Sequence, residues 1–319
     1  MSVTFSGAFT FSGGGFTATL APPPDPTTAS WFSGGYGPPK NSSVQRITYA
    51  TDTATATVRG PLSSANYNFA GTGTLTNGYI GGGNSPTVST VQRITYATDT
   101  ATASVGGPLT AEKNRLAAVT DGTTYGWFGG GYVPITGIIS TIDRITFATY
   151  TGSATTRGPL PNPRYNQSGL SNTSYGWFAG GDPSYDSTIY RITYSNDTAA
   201  ATPRGPVLYV QTIYGATGNS TDGYLGGGNI PGDGLTSRVQ RITYATDTAT
   251  ASVRGPLSFG RHFLAASGNE TNGWFGGGNN SGSRSIVDRI TYATDTATAS
   301  ARGPLSVALS RLASSSGTQ

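Results

Sequence analysis

Six near-copies of one segment run along this chain, and the last copy stops at the point where the first lacks its beginning. The wording is plainest in TNGWFGGG followed by VDRITYATDTATASARGPLS, and a marker isoleucine returns at Ile47, Ile94, Ile145, Ile192, Ile242 and Ile290. The mean interval is about 49 residues, a length at which repeated supersecondary units stack into solenoids or close into propellers. An aromatic returns in phase with it, at Trp31, Tyr79, Trp127, Trp177, Tyr224 and Trp274. Length alone, 319 residues, suggests two domains, but a propeller holds that length in one closed unit.

Each copy divides at its Gly and Asp/Thr turn signals into four short runs. In the last full copy these place strand A at Phe263–Ser267, strand B at Asn272–Gly277, strand C at Ile286–Ala293 and strand D at Ala297–Ala301, with a tight Thr294-Asp295-Thr296 turn before D. Alternation puts Ile290 and Tyr292 on one face of strand C, and the strand B glycines read as a close approach of backbone to a central channel. Gly303-Pro304 ends strand D, because proline cannot donate to a ladder. No stretch keeps helical spacing. The expected fold is all-β: a six-bladed β-propeller over residues 28–319, four antiparallel strands per blade, with residues 307–319 supplying strand A of the first blade. That closure hides edges an open ring would expose.

Composition bounds the chemistry. There is no Cys, one His (His262) and two Glu (Glu112 and Glu270). That inventory argues against disulfides, metal sites, cofactors and tuned acid–base catalysis, so the expectation is a non-enzyme with no catalytic residues and no metal. The net charge is +4, but the 17 Arg are spread over all copies rather than gathered into a stripe, which argues against nucleic acid as a partner. The opening MSVTFSGAFTFSGGGF has no basic region, and no run of about 18 apolar residues occurs, so neither an export signal nor membrane insertion is expected.

Comparing the copies with one another exposes a paired loss. The Arg before Gly-Pro is present at Arg59, Arg157, Arg204, Arg254 and Arg302 but is Gly106 in the second copy. The turn Asp is present at Asp52, Asp99, Asp197, Asp247 and Asp295 but is Tyr150 in the third. One absent partner predicts the other if the Arg of each blade clamps the Asp of the next, using the guanidinium's affinity for carboxylate. A further Arg recurs in all six copies, at Arg46, Arg93, Arg144, Arg191, Arg241 and Arg289, and is assigned a role within the blade, through a backbone or neighbouring-strand hydrogen bond, rather than an anion site.

In a propeller the D-to-A and B-to-C connections share one face. Here both kinds vary freely from copy to copy, whereas the C-to-D turn is nearly constant as ATDTA. Tyr132, Arg164, Tyr165, Tyr185, Tyr209, Arg261 and His262 are the candidate binding residues on the variable face, because Tyr and Arg dominate contact surfaces. Residues 1–27 fall outside the repeat. They alternate aromatic and small residues around Phe5, Phe9, Phe11 and Phe16, then stiffen at Pro22-Pro23-Pro24-Asp25-Pro26. This reads as a β-forming arm and an extended spacer that anchors the ring to another protein, with the four phenylalanines as anchor candidates.

The Phe275-Gly276-Gly277 strand end, then Tyr292 and the Asp295-Thr296 turn, resembles the kelch repeat from about residue 28 to 319. It departs from that repeat where a Trp usually follows the turn, a position held here by Ala54, Ala101 and Ala249; the strand B aromatic is expected to take over its packing. The near-verbatim ITYATDTATASVRGPLS resembles repeat proteins of marine tailed phages, particularly those infecting cyanobacteria. That resemblance implies a virion structural protein, tail-associated, assembled in the host cytoplasm and exposed outside, touching other virion proteins and a host-surface glycan or protein. The alternative is a free lectin-like propeller with a sugar-stacking pocket in each blade.

Overall fold

The computed structural model describes residues 10–12, 15–17, 28–183, 185–212 and 214–316. Six four-stranded antiparallel sheets stand in a ring, a six-bladed β-propeller. In the sixth blade the strands are A (Ala265–Gly268), B (Asn272–Gly276), C (Val287–Thr291) and D (Ser300–Arg302). The first blade takes its strand A, Ala313–Ser316, from the far end of the chain, pairing Ser30 with Ser316 and Ser33 with Ala313. The six A strands form the wall of the central channel.

Strands C and D are shorter than their sequence suggests. The C-to-D link is not a tight three-residue turn: a 3-10 turn at Tyr292–Thr294, repeated in every blade, lifts the tyrosine out of strand C. Tyr292 is nonetheless buried like Ile290, because that turn delivers its ring to the preceding blade.

The core is six apolar clusters, one per blade junction. Alternation along strand B aims successive aromatics at opposite neighbours. Trp31 stacks on Tyr96 of the next blade with centroids 3.8 Å apart, while Phe32 faces the previous blade, where a Cβ on Gly276 would lie 2.8 Å from its ring. The stack recurs as Tyr79–Phe147, Trp127–Tyr194, Trp177–Tyr244 and Tyr224–Tyr292, and Trp274–Tyr49 joins the last blade to the first. The strand B aromatic therefore supplies the inter-blade packing expected of it.

The doublet after strand B does not approach the channel, contrary to its reading in sequence. Gly82 and Gly83 have φ of +77° and +134°, and a Cβ on Gly82 would sit 2.5 Å from the Lys113 carbonyl oxygen. Only glycine tolerates both demands, and its freedom lets strand B turn beneath the D-to-A connection that leads into the next blade. In the arm, Thr10–Ser12 and Gly15–Thr17 form a two-stranded sheet of their own, with Phe11 opposite Phe16. Phe5 and Phe9 lie outside the described residues.

Candidate functional site: the variable face and channel mouth

The rigidity of this face begins with the clamp beneath it. Cross-strand pairing sets Trp31 beside Arg46, and both side chains reach Asp99 of the next blade: Nε1 donates at 2.9 Å and the guanidinium at 3.0 Å. The strand D arginine, Arg59, stands 3.4 Å from the same oxygen. The pattern repeats on Asp197, Asp247, Asp295 and Asp52, with the hydroxyl of Tyr224 replacing the indole at Asp295. So the clamp inferred from the paired loss exists at five junctions, and the sixth, between Gly106 and Tyr150, has none. The recurring strand C arginine reaches beyond its own blade, although Arg144 and Arg191 also lie over Tyr125 and Tyr175 of their own strand B, 4.1 and 4.2 Å from the ring centroids. The strand C arginine is the closer clamp member at four junctions and matches Arg254 at 2.9 Å on Asp295, and in the second blade Arg93 lies over the Tyr150 ring instead, 4.2 Å from its centroid.

Above the clamps, one position of the D-to-A connection points inward and meets one position of strand C in the same blade. Lys113 pairs with Asp143 at 2.8 Å and Arg261 with Asp288 at 2.7 Å, all four side chains wholly buried. Desolvation lowers the Lys113 pKa, and Asp143 opposes that shift. Where strand C carries Gln instead, the partner is neutral: Gln211 meets Gln240, and Leu309 accompanies Gln45. Arg164 lies 4.3 Å from the centroid of Tyr190 and bonds Asp186 at 2.6 Å. At this one inward position a cation appears only where a buried or nearby carboxylate neutralises it, as burial of a cation requires.

This revises two candidates. Arg164 is 2% exposed and Arg261 not at all, and their guanidiniums are tied to Gly180, Asp186, Gly277, Asp288 and Phe275. They are internal pillars of the face, not contact residues. The other five stay accessible. Tyr132 is 38% and Tyr185 47% exposed, while Tyr165, Tyr209 and His262 are half-buried. Arg238 covers the Tyr209 ring at 4.3 Å. Burial, ahead of nearby Arg311, holds the His262 pKa below its ordinary value.

The apolar surface is lopsided. Of the eleven large apolar side chains exposed among the described residues, Tyr36, Tyr132, Ile135, Tyr185, Leu208, Leu235 and Phe259 all sit on the variable face. Ile135 is 98% exposed at the tip of the Tyr132–Val133/Gly137–Ile138 hairpin. Five of the seven come from the third, fourth and fifth blades.

At the centre of this face lies a feature the sequence did not announce. Asn68, Arg115, Asn166, Phe263 and Arg311 occupy one equivalent position in five blades, immediately before strand A, and all have φ between +55° and +59°. Four of these amides reach the carbonyl of the blade before: Arg115 to Asn68 at 2.8 Å, Asn166 to Arg115 at 2.9 Å, Asn68 to Arg311 at 3.0 Å and Arg311 to Phe263 at 2.8 Å. The result is a belt of main-chain hydrogen bonds around the channel mouth. A left-handed conformation costs about 1–2 kcal/mol for a residue with a side chain, and glycine would avoid it. None of these positions is glycine.

The mouth opens into a cavity of about 160 Å³ walled by Gly71, Ala118, Gly169, Ala216, Ala266 and Ser314. Arg115 and Arg311 are half-buried at its rim and pair with no carboxylate among the described residues. Arg311 lies 4.3 Å from the Phe263 centroid and 5.7 Å from that of Tyr67, and Arg115 lies 5.4 Å from that of Tyr165. Burial lowers the Arg311 pKa, and the neighbouring charge of Arg115 pushes the same way. Asn68, between them in blade order, is nine-tenths buried and its Nδ2 has no partner among the described residues.

A sequence signal for this rim did exist. Eleven arginines fall in the two recurring columns, and the six left over, Arg115, Arg164, Arg238, Arg261, Arg284 and Arg311, all map to D-to-A or B-to-C connections. Compared with known proteins, the chain matches no family model and no curated sequence.

Proposed function

We propose that this chain is a non-enzymatic recognition module of a tailed-phage virion, tail-associated, which meets its partner through the variable face while the N-terminal arm holds it to other virion proteins. One observation carries the recognition reading: the exposed apolar side chains gather on the face whose loops differ from blade to blade. Such a patch on a rigid ring is what a protein or cell-surface contact requires. The virion setting rests on the likeness of the repeated ITYATDTATASVRGPLS to repeat proteins of marine tailed phages. A lectin with six equivalent pockets finds no support, because the recurring aromatics Trp31, Tyr79, Trp127, Trp177, Tyr224 and Trp274 are at most 1% exposed.

The test has two arms. Mass spectrometry of purified phage particles is expected to find the chain as a stoichiometric component; its absence from particles removes the virion setting. Labelled full-length protein is expected to bind host cells, and Ile135→Asp with Leu235→Asp is expected to abolish that binding without shifting the melting transition. Unchanged binding by the double variant removes the variable face as the contact.

A further inference from the structure

The channel mouth is distinct from the apolar rim and has a different chemistry. In blade order, Arg311, Asn68, Arg115 and Asn166 form a continuous polar arc over the first four blades, and Phe263 of the sixth adjoins Arg311. Thirteen of the chain's 17 arginines form ion pairs within it, so two guanidiniums left unpaired at one cavity mouth are exceptional here. Both are already oriented against aromatic rings, which reduces the freedom lost on binding. Both also stand in a backbone conformation that glycine would adopt without strain, so each side chain is carried at a conformational cost.

We propose that this mouth binds the carboxylate of an acidic sugar, a hexuronate unit of a surface polysaccharide. Two guanidiniums offer the paired donors that suit a carboxylate, the Asn68 Nδ2 has no partner among the described residues and can donate to a ring hydroxyl, and Asn166, whose Nδ2 is held by Asp182 at 2.9 Å, offers its Oδ1 as an acceptor. Phe263 lines the cavity beneath Arg311 and supplies an apolar neighbour for the pyranose. The cavity is smaller than the roughly 300–1,000 Å³ of ordinary ligand pockets, which suits entry of one ring rather than a folded loop. The small side chains of the wall leave that space open. The proposal rests on reading the variable face as the contact surface and names what its centre recognises.

The experiment is calorimetric titration of the full-length protein with trigalacturonate and with its methyl ester, which keeps the shape and removes the charge. The acid is expected to bind and the ester to bind about 30-fold more weakly, the usual consequence of losing hydrogen bonds to a charged group. Arg115→Gly with Arg311→Gly is expected to lose trigalacturonate binding to a similar extent while melting no lower than the parent, since glycine suits both positions. Equal affinity for acid and ester, unchanged affinity in the double variant, or no binding of the acid overturns the proposal. Tighter binding of an acidic tripeptide than of trigalacturonate overturns it in favour of a peptide carboxylate. Host binding that depends on Ile135 but not on Arg115 and Arg311 leaves the recognition reading standing and removes only the uronate.

Discussion

The ring of Tyr150 occupies the space that a side chain on Gly106 would need: a Cβ there would lie 2.6 Å from the tyrosine Cδ2. The two exceptions to the clamp are thus one exception, a junction rebuilt from an Arg–Asp pair into a tyrosine lying under Arg93 and packed edge-on against Tyr79.

Gly106→Arg alone is expected to destabilise the protein by about 1–3 kcal/mol through overpacking. Combined with Tyr150→Asp it is expected to recover, giving a coupling of about 1–3 kcal/mol in a double-mutant cycle read by urea unfolding. Additive effects would show that the two positions are independent.

Asp197→Ala removes the acceptor for the Trp127 indole and for two guanidiniums at once. A loss of about 3 kcal/mol is expected, because the partners remain part-buried with nothing to bond. Asp233→Ala, whose partner Arg238 is 40% exposed, is expected to change stability by less than about 0.5 kcal/mol and serves as the control.

Lys113→Met is expected to cost about 3 kcal/mol or more by stranding the buried Asp143 carboxylate. Lys113→Gln with Asp143→Gln imports the Gln211–Gln240 pair of the fifth blade, and its expected cost is about 1 kcal/mol or less. A double variant as unstable as the single would show that the loop needs the ion pair itself.

Alkaline pH should unfold the ring through its tyrosines. Burial raises the pKa of Tyr49, Tyr96, Tyr194, Tyr244 and Tyr292 above the ordinary value, and pushes Tyr79 up to about 12. A folded-state pKa above the unfolded one gives stability that is complete below about pH 10 and is lost as pH rises beyond it. Ultraviolet titration is expected to show an exposed class ionising near pH 10 and a second class ionising only as the circular-dichroism signal collapses. Ionisation of all 18 tyrosines in one step before unfolding would contradict the buried stacks.

Removal of residues 307–319 takes away the strand opposite Ser30–Ser33 together with Leu309 and Leu312, which are buried. The expected outcome is insoluble protein or loss of the cooperative transition, and retention of the parental melting curve would refute closure by this strand.

How much could be read in advance varied with the kind of information. The blade count, the closure and the clamp were legible because the chain holds six trials of one design, in which Gly106 and Tyr150 stand out against five regular neighbours. The strand ends were less so, because a 3-10 turn such as Tyr292–Thr294 is set by the ring it must place on the adjacent blade. Arg164 and Arg261 looked like contact residues because a loop arginine gives no sign in sequence of a buried Asp288 across the sheet. The mouth left only a faint trace, in two arginines, Arg115 and Arg311, that fall outside the recurring columns. Its residues are each unremarkable in their own copy and acquire meaning only when six copies converge on an axis, and left-handed backbone at Arg115 or Phe263 has no local signature.

The pairing of Ser30 with Ser316 has a further consequence. Strand B of the first blade begins, and the last A strand finishes, at the end of the ring that carries the 3-10 turns, so the polypeptide enters and leaves the body from its uniform side. The molecule therefore has a back and a front, like a button sewn on from behind. Loops on the front can differ from blade to blade without disturbing the thread that closes the ring behind them.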